Sequence, residues 1–131
     1  MKDSIHLTLE ATFDASNQGI IHFGEVVGQL IDARVESYRV DYRSGRTTYY
    51  LPDCATAEFI FERPQQGIAD TFDGEAVRAA IVGAEKGRVM YPEFKRLSQS
   101  AGCVGNTVWI AGRHVTYLGR RGEMHVERFP N

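Results

Sequence analysis

Apolar positions along this chain follow two rhythms that take turns. From residue 23 the stripe Phe23, Val26, Val27, Leu30, Ile31 recurs at i, i+3, i+4, i+7 and i+8, which predicts an amphipathic helix. The stretch VESYRVDYRSGRTTYYL then alternates apolar and polar residues around Ser44-Gly45, the pattern of a β-hairpin. A two-residue turn there would pair Arg43 with Arg46, Tyr42 with Thr47, and Val40 with Tyr49. AEFIFERP reads as a third strand.

The second half has the same rhythm. FDGEAVRAAIVGAEKG predicts a helix with Asp73 as its N-cap and Val77, Ala80, Ile81 and Ala84 as its stripe. Tyr91, Phe94, Leu97 and Ala101 line a further helix, whose first turn tolerates Pro92. Two strands follow around Gly112-Arg113, with Ala111 opposite His114 and Val108 opposite Tyr117, and MHVERFP forms the last strand after a turn from Gly119 to Gly122.

Sliding the chain along itself by 68 residues explains the recurrence. Without a gap from Gly19 to Tyr49, six positions coincide: Gly19/Gly87, Glu25/Glu93, Ala33/Ala101, Val40/Val108, Thr48/Thr116 and Tyr49/Tyr117. The apolar phase agrees between them, so a duplicated unit is expected. The repeat also resolves SIHLTLEATFDASNQG, whose Ile5, Leu7, Leu9, Ala11 and Phe13 alternate like a strand, in favour of a helix. Glu25 and Glu93 then sit in first helical turns, where a carboxylate suits the positive end of the helix dipole. That account is preferred to a pair of catalytic acids. The pattern predicts an α+β fold: one domain over residues 1–131, in two pseudo-symmetric helix-helix-strand-strand-strand halves, about 1–63 and 69–130, joined by a linker from Pro64 to Asp70. An antiparallel sheet is expected, with helices on one face.

A chain of 131 residues can bury a core without metal or disulfide support, and a net charge of −2 gives no general pull toward nucleic acid. Cys54 and Cys103 lack a CxxC context and read as reduced thiols, Cys103 as a small core residue. The start MKDSIHLTLE lacks a signal-peptide apolar run, and no stretch reaches the roughly 20 apolar residues of a membrane span. A cytoplasmic protein without a cofactor or membrane association is expected.

Two long phrases, FGEVVGQLIDARVESYRVDYRSGRTTYYLPD and YPEFKRLSQSAGCVGNTVWIAGRHVTYLGRRGEMHVERFP, are similar to a family of small bacterial and prophage-associated proteins of unknown function, often labelled "phage envelope protein". The resemblance covers nearly all of the chain after residue 19. It implies an α+β fold and a bacterial or phage origin, and it carries no catalytic residues. Nothing in the sequence is directed to a membrane or envelope.

Strand alternation sorts the candidate site residues. Val108, Ile110, Val115, Tyr117, Met124 and Val126 are expected beneath the helices. Trp109, His114, Thr116, Leu118, His125, Glu127 and Phe129 are expected together on the other face, as a binding or interface patch. In the first half Arg39, Asp41, Arg43, Arg46, Thr48 and Tyr50 make a charged outer lattice. Large apolar groups on a non-core strand face predict contact with another surface, most simply a homodimer partner. His114, His125 and Glu127 offer a metal-ligand trio on adjacent strands, but His125 is expected opposite Leu118 rather than His114, which argues against a tight three-ligand geometry. With no nucleophile or phosphate cradle beside them, the sequence leans away from an enzyme.

Arg113, Arg120, Arg121 and Arg128, interleaved with Tyr117 and His125, have the mix used by single-stranded nucleic-acid platforms. Glu123 and Glu127 dilute it, and solvated turn arginines are the preferred reading. The tyrosines Tyr38, Tyr42, Tyr49 and Tyr50 read as sheet packing. Two functions stay open: a non-enzymatic interaction module, homo-oligomeric, or a small enzyme or ligand-binding protein built on His114, His125 and Glu127.

Overall fold

In a computed structural model describing residues 3–64 and 66–130, four helices lie on one face of a six-stranded antiparallel sheet. The first half runs α1 (Ser4–Asn17), α2 (Phe23–Asp32), β1 (Ser37–Asp41), β2 (Arg46–Tyr50) and β3 (Thr56–Ile60). The second runs α3 (Gly74–Glu85), α4 (Tyr91–Ser100), β4 (Cys103–Trp109), β5 (His114–Gly119) and β6 (Met124–Arg128). The α+β architecture expected from the sequence is the one observed. Strand order is β3-β2-β1-β4-β5-β6, so the halves meet through β1 and β4 at the middle of the sheet.

Local chemistry sets the element ends. Asp3 caps α1 by accepting from the His6 N–H at 2.8 Å, and Asp73 caps α3 through Ala76 N–H at 3.2 Å. Glu25 closes on the His22 N–H at 3.0 Å, which gives the first of the twin glutamates its structural role. Residues Ser4–Asn17 are helical despite their alternation, because Leu9, Thr12 and Phe13 share the buried side while Ile5 and Leu7 stay exposed. The stripe on α2 is narrower than expected: Val26 and Leu30 are buried, and Ile31 faces solvent. The segment after Pro64 runs along α4, tied by Ala69 N–H to Gln99 O at 3.0 Å; Gln65 lies outside the described residues.

Left-handed backbone recurs in matched positions. Gly19 and Gly87 both have φ +73°, Arg34 (+65°) corresponds to Gly102 (+91°), Gly45 (+68°) to Arg113 (+59°), and Cys54 (+69°) to Gly122 (+84°). Each pair is separated by the same 68 residues as the sequence match.

Two register expectations are corrected. The hairpins do not have two-residue turns: Asp41 pairs with Arg46, and Trp109 with His114, leaving the four-residue loops 42–45 and 110–113. A tight type I′ turn needs positive φ at both central residues, and each loop has one such residue, Gly45 or Arg113, in its last position. The slip is by two residues and leaves the faces unchanged. In β6 the slip is by one: Leu118 pairs with Met124 and Tyr117 with His125. Against the expected pairing of Leu118 with His125, the loop after Gly119 is one residue shorter, with Gly119 N–H donating to Glu123 O at 2.8 Å. A one-residue slip turns every side chain over. Met124 and Val126 therefore lie on the open face, and His125 and Glu127 lie beneath the helices.

Candidate ligand cavity

Alternation along the central strands sets two rows of side chains under the helices. Thr47, Val40, Asn106, Tyr117 and His125 cross the sheet as one row; Tyr49, Tyr38, Val108, Val115 and Glu127 form the next. Above them stand Val26 from α2 and Tyr91 and Phe94 from α4, flanked by the C-terminal ends of α1 and α3. The helices touch this floor in places, as where Phe94 meets Tyr117 at 6.0 Å between ring centres, but leave a cavity of about 630 Å³ beside those contacts, lined mostly by aromatic and aliphatic groups. That volume and lining match a pocket for a small organic molecule.

The floor carries polar groups with no protein partner. Tyr38, Thr47, Tyr49, Asn106 and Tyr117 are all at most 8% exposed, yet no side-chain hydrogen bond joins any of them to another described residue. No described side-chain nitrogen or oxygen is both sealed from solvent and unpartnered. The hydroxyls and the amide must therefore open into the cavity. Tyr42 is the contrast: its hydroxyl, also buried, meets Ser98 Oγ at 2.7 Å. Burial pushes the phenols of Tyr38, Tyr49, Tyr91 and Tyr117 above their ordinary range, so they remain protonated hydrogen-bond donors.

The charged lining groups come from the end of α3, the 110–113 loop and β6. Phe129 meets Phe23 edge-on at 5.7 Å between ring centres, and the Arg113 guanidinium lies 5.8 Å from the Phe129 ring. Glu85, Lys86, Glu127 and Arg128 also line the cavity. His125 Nε2 is 3.0 Å from Glu127 Oε1, so these two ionisable groups engage each other.

The expected patch is divided between the two faces of the sheet. Trp109, His114, Thr116 and Leu118 lie on the open face, where Trp109 Nε1 donates to Thr116 Oγ1 at 3.3 Å and its ring stacks toward His114 at 6.3 Å. His125, Glu127 and Phe129 belong to the helix-covered face. The trio of His114, His125 and Glu127 thus does not converge, and among the described residues no three His, Cys, Asp or Glu side chains gather to hold a metal ion. Arg46 and Glu58 pair on the open face of the first half. Arg120 is partly structural, donating to Ile68 O at 2.8 Å.

Cys54 and Cys103 are free; burial pushes the Cys103 thiol up to about 12, which makes it inert. Lys95 borders a separate shallow cleft, where burial lowers its ammonium to about 8 while Glu62 opposes the shift. It donates to Asn17 Oδ1 at 2.6 Å and lies 4.3 Å from the Phe61 ring centre. Sequence reasoning passed over the cavity groups because tyrosines in strands usually mean packing. Asn106, a polar residue two positions before inward Val108, was the available signal.

No protein-family model and no curated protein matches the sequence. Among the described residues, no helix is long and apolar enough to cross a membrane.

Proposed function

We propose that the protein is a non-enzymatic binding module of a bacterium or its phage, which holds a small, largely apolar molecule between its helices and its sheet. One observation carries this reading: a cavity of about 630 Å³ whose floor presents buried, unpartnered hydroxyls and an amide. A cavity with an entirely apolar lining would be compatible with a mere packing defect; polar groups placed in its floor offer orientation to a guest. The strands β1, β2, β4 and β5 supply neutral groups to the cavity, and His125 and Glu127 on β6 are occupied with each other. Both features favour binding over catalysis. The test is titration of the isotopically labelled protein with Nile red, a neutral apolar dye. Saturable fluorescence with methyl shifts at Val108 and Val115 is the expected result; shifts confined to Met124 and Val126 would move binding to the open face and refute the cavity reading.

A second reading concerns that open face. Trp109 is 43% exposed, Met124 61% and Val126 51%, with Leu118 beside them. Such a patch suits self-association as a homodimer, in which the same strands meet across a twofold axis.

A further inference from the structure

We propose that the deep end of the cavity selects a neutral ligand carrying a carbonyl-type oxygen, seated against Asn106 and the hydroxyls of Tyr38, Tyr49 and Tyr117, and rejects carboxylates and ammonium groups. The inference rests on the ligand-binding reading and adds to it the chemistry of the guest.

The first part of the argument is the register. Asn106 lies beside Val40 on one side and Tyr117 on the other, and Tyr38 and Tyr49 are direct neighbours in the adjoining row. Four polar ends therefore share one region of the floor. Each belongs to a residue more than nine-tenths buried, and none is used by another described side chain. Phenols donate more strongly than they accept, and the asparagine amide adds two N–H groups. The region is rich in donors and calls for an acceptor.

The second part is the placement of charge. The charged side chains that line the cavity, Glu85, Lys86, Arg113, Glu127 and Arg128, come from the end of α3, the 110–113 loop and β6, and the part of the floor made by β1, β2, β4 and β5 holds only neutral residues. A carboxylate or ammonium carried to the floor would lose its hydration without meeting an opposite charge, a heavily unfavourable exchange. A ketone, ester, lactone or amide oxygen loses far less and receives the donors.

Four probes of equal chain length separate the possibilities: 2-undecanone, undecanoate, undecylammonium and 1-undecene, each competing with Nile red at pH 7. The ketone is expected to bind at least tenfold more tightly than either ion, and more tightly than the alkene. Asn106→Leu should weaken the ketone about two- to tenfold, the worth of one neutral hydrogen bond, and leave the alkene unchanged or improved. Tyr117→Phe, which keeps the ring in place, should act in the same direction; circular dichroism verifies that both variants fold. Undecanoate binding as well as the ketone, or the ketone's advantage surviving both substitutions, would overturn the selection while leaving the cavity a binding site. Failure of Nile red and all four probes to bind would bring down the binding reading itself, and this inference with it.

Discussion

Replacing Asn106 with leucine should make the protein more stable. Asn106 is 5% exposed in the middle strand pair, and its amide finds no hydrogen-bonding partner among the described side chains. Burying an amide without a compensating bond costs about 1–3 kcal/mol by the measure of protein mutants. The cavity leaves that amide some access to water, which places the penalty in the lower part of the range, at about 1–2 kcal/mol. Leucine keeps the branched skeleton, has the cavity to take its larger methyl groups, and removes the penalty, while the backbone pairing with Val40 and Tyr117 is undisturbed.

For 131 residues the entropy of unfolding is roughly 0.28 kcal/mol/K, so Tm should rise by about 4–7 °C. Tyr42→Phe is the control. It removes a hydroxyl that is partnered, at 2.7 Å from Ser98 Oγ, and should lower stability by about 1 kcal/mol. Both values come from thermal and urea unfolding of the ligand-free protein. A Tm for Asn106→Leu several degrees below wild type would mean that the amide supports the sheet, and the argument that it is reserved for a guest would fail. Stability held back at a buried position is a common mark of a site kept for function.

Gly102→Ala should destabilise by more than about 2 kcal/mol, since φ is +91° there and an added Cβ would sit 2.8 Å from Phe72 Cα; a change below about 0.5 kcal/mol in urea unfolding would refute the tight approach. Lys95 has a folded-state pKa of about 8, below its ordinary 10.5, so the unfolded chain binds more protons between those values and stability should rise with pH through that window. Burial raises the tyrosine phenols, which pulls stability down near and above pH 10, so the readout is the difference between wild type and Lys95→Met from pH 7.5 to 9.5; equal slopes would refute the assignment. Trp109→Ala should weaken self-association in sedimentation over a dilution series without lowering Tm by more than a few degrees. A wild type that is monomeric at every concentration, with solvent-exposed indole emission, would dispose of the interface.

The architecture was legible because it rests on periodicity. Val77, Ala80 and Ile81 at helical spacing, and Val40 and Val108 in alternating runs, report burial whatever the exact turn geometry. The face of β6 was not legible, for the opposite reason. MHVERFP contains apolar residues in both phases: Met124 and Val126 in one, Phe129 in the other. Its orientation depended on the single step at which the Gly119–Glu123 loop closes, and apolar content favoured the wrong choice. The observed register exposes Met124 and Val126 and gathers His125 and Glu127 inward. The cavity was hidden for a further reason: a sequence pattern reports which side chains face inward, and says nothing of how far the helices stand from them.

The matched positions of the two halves bear on how the proposed guest would be oriented. Positions that shape the backbone are matched across 68 residues: the helix ends at Gly19 and Gly87, and the hairpin loops at Gly45 and Arg113. On the floor, by contrast, the matched positions diverge. Tyr38 corresponds to Asn106 and Thr47 to Val115, while Tyr49 and Tyr117 agree. Two halves with the same order of elements and alike in their floor residues would present similar surfaces to a molecule bound between them, and a small asymmetric molecule cannot satisfy both at once. Substituting an amide for a phenol on one side, and a methyl for a hydroxyl on the other, gives the floor a polar direction. On the proposed binding reading, the backbone pattern supplies the space, and the departures from it would orient what enters.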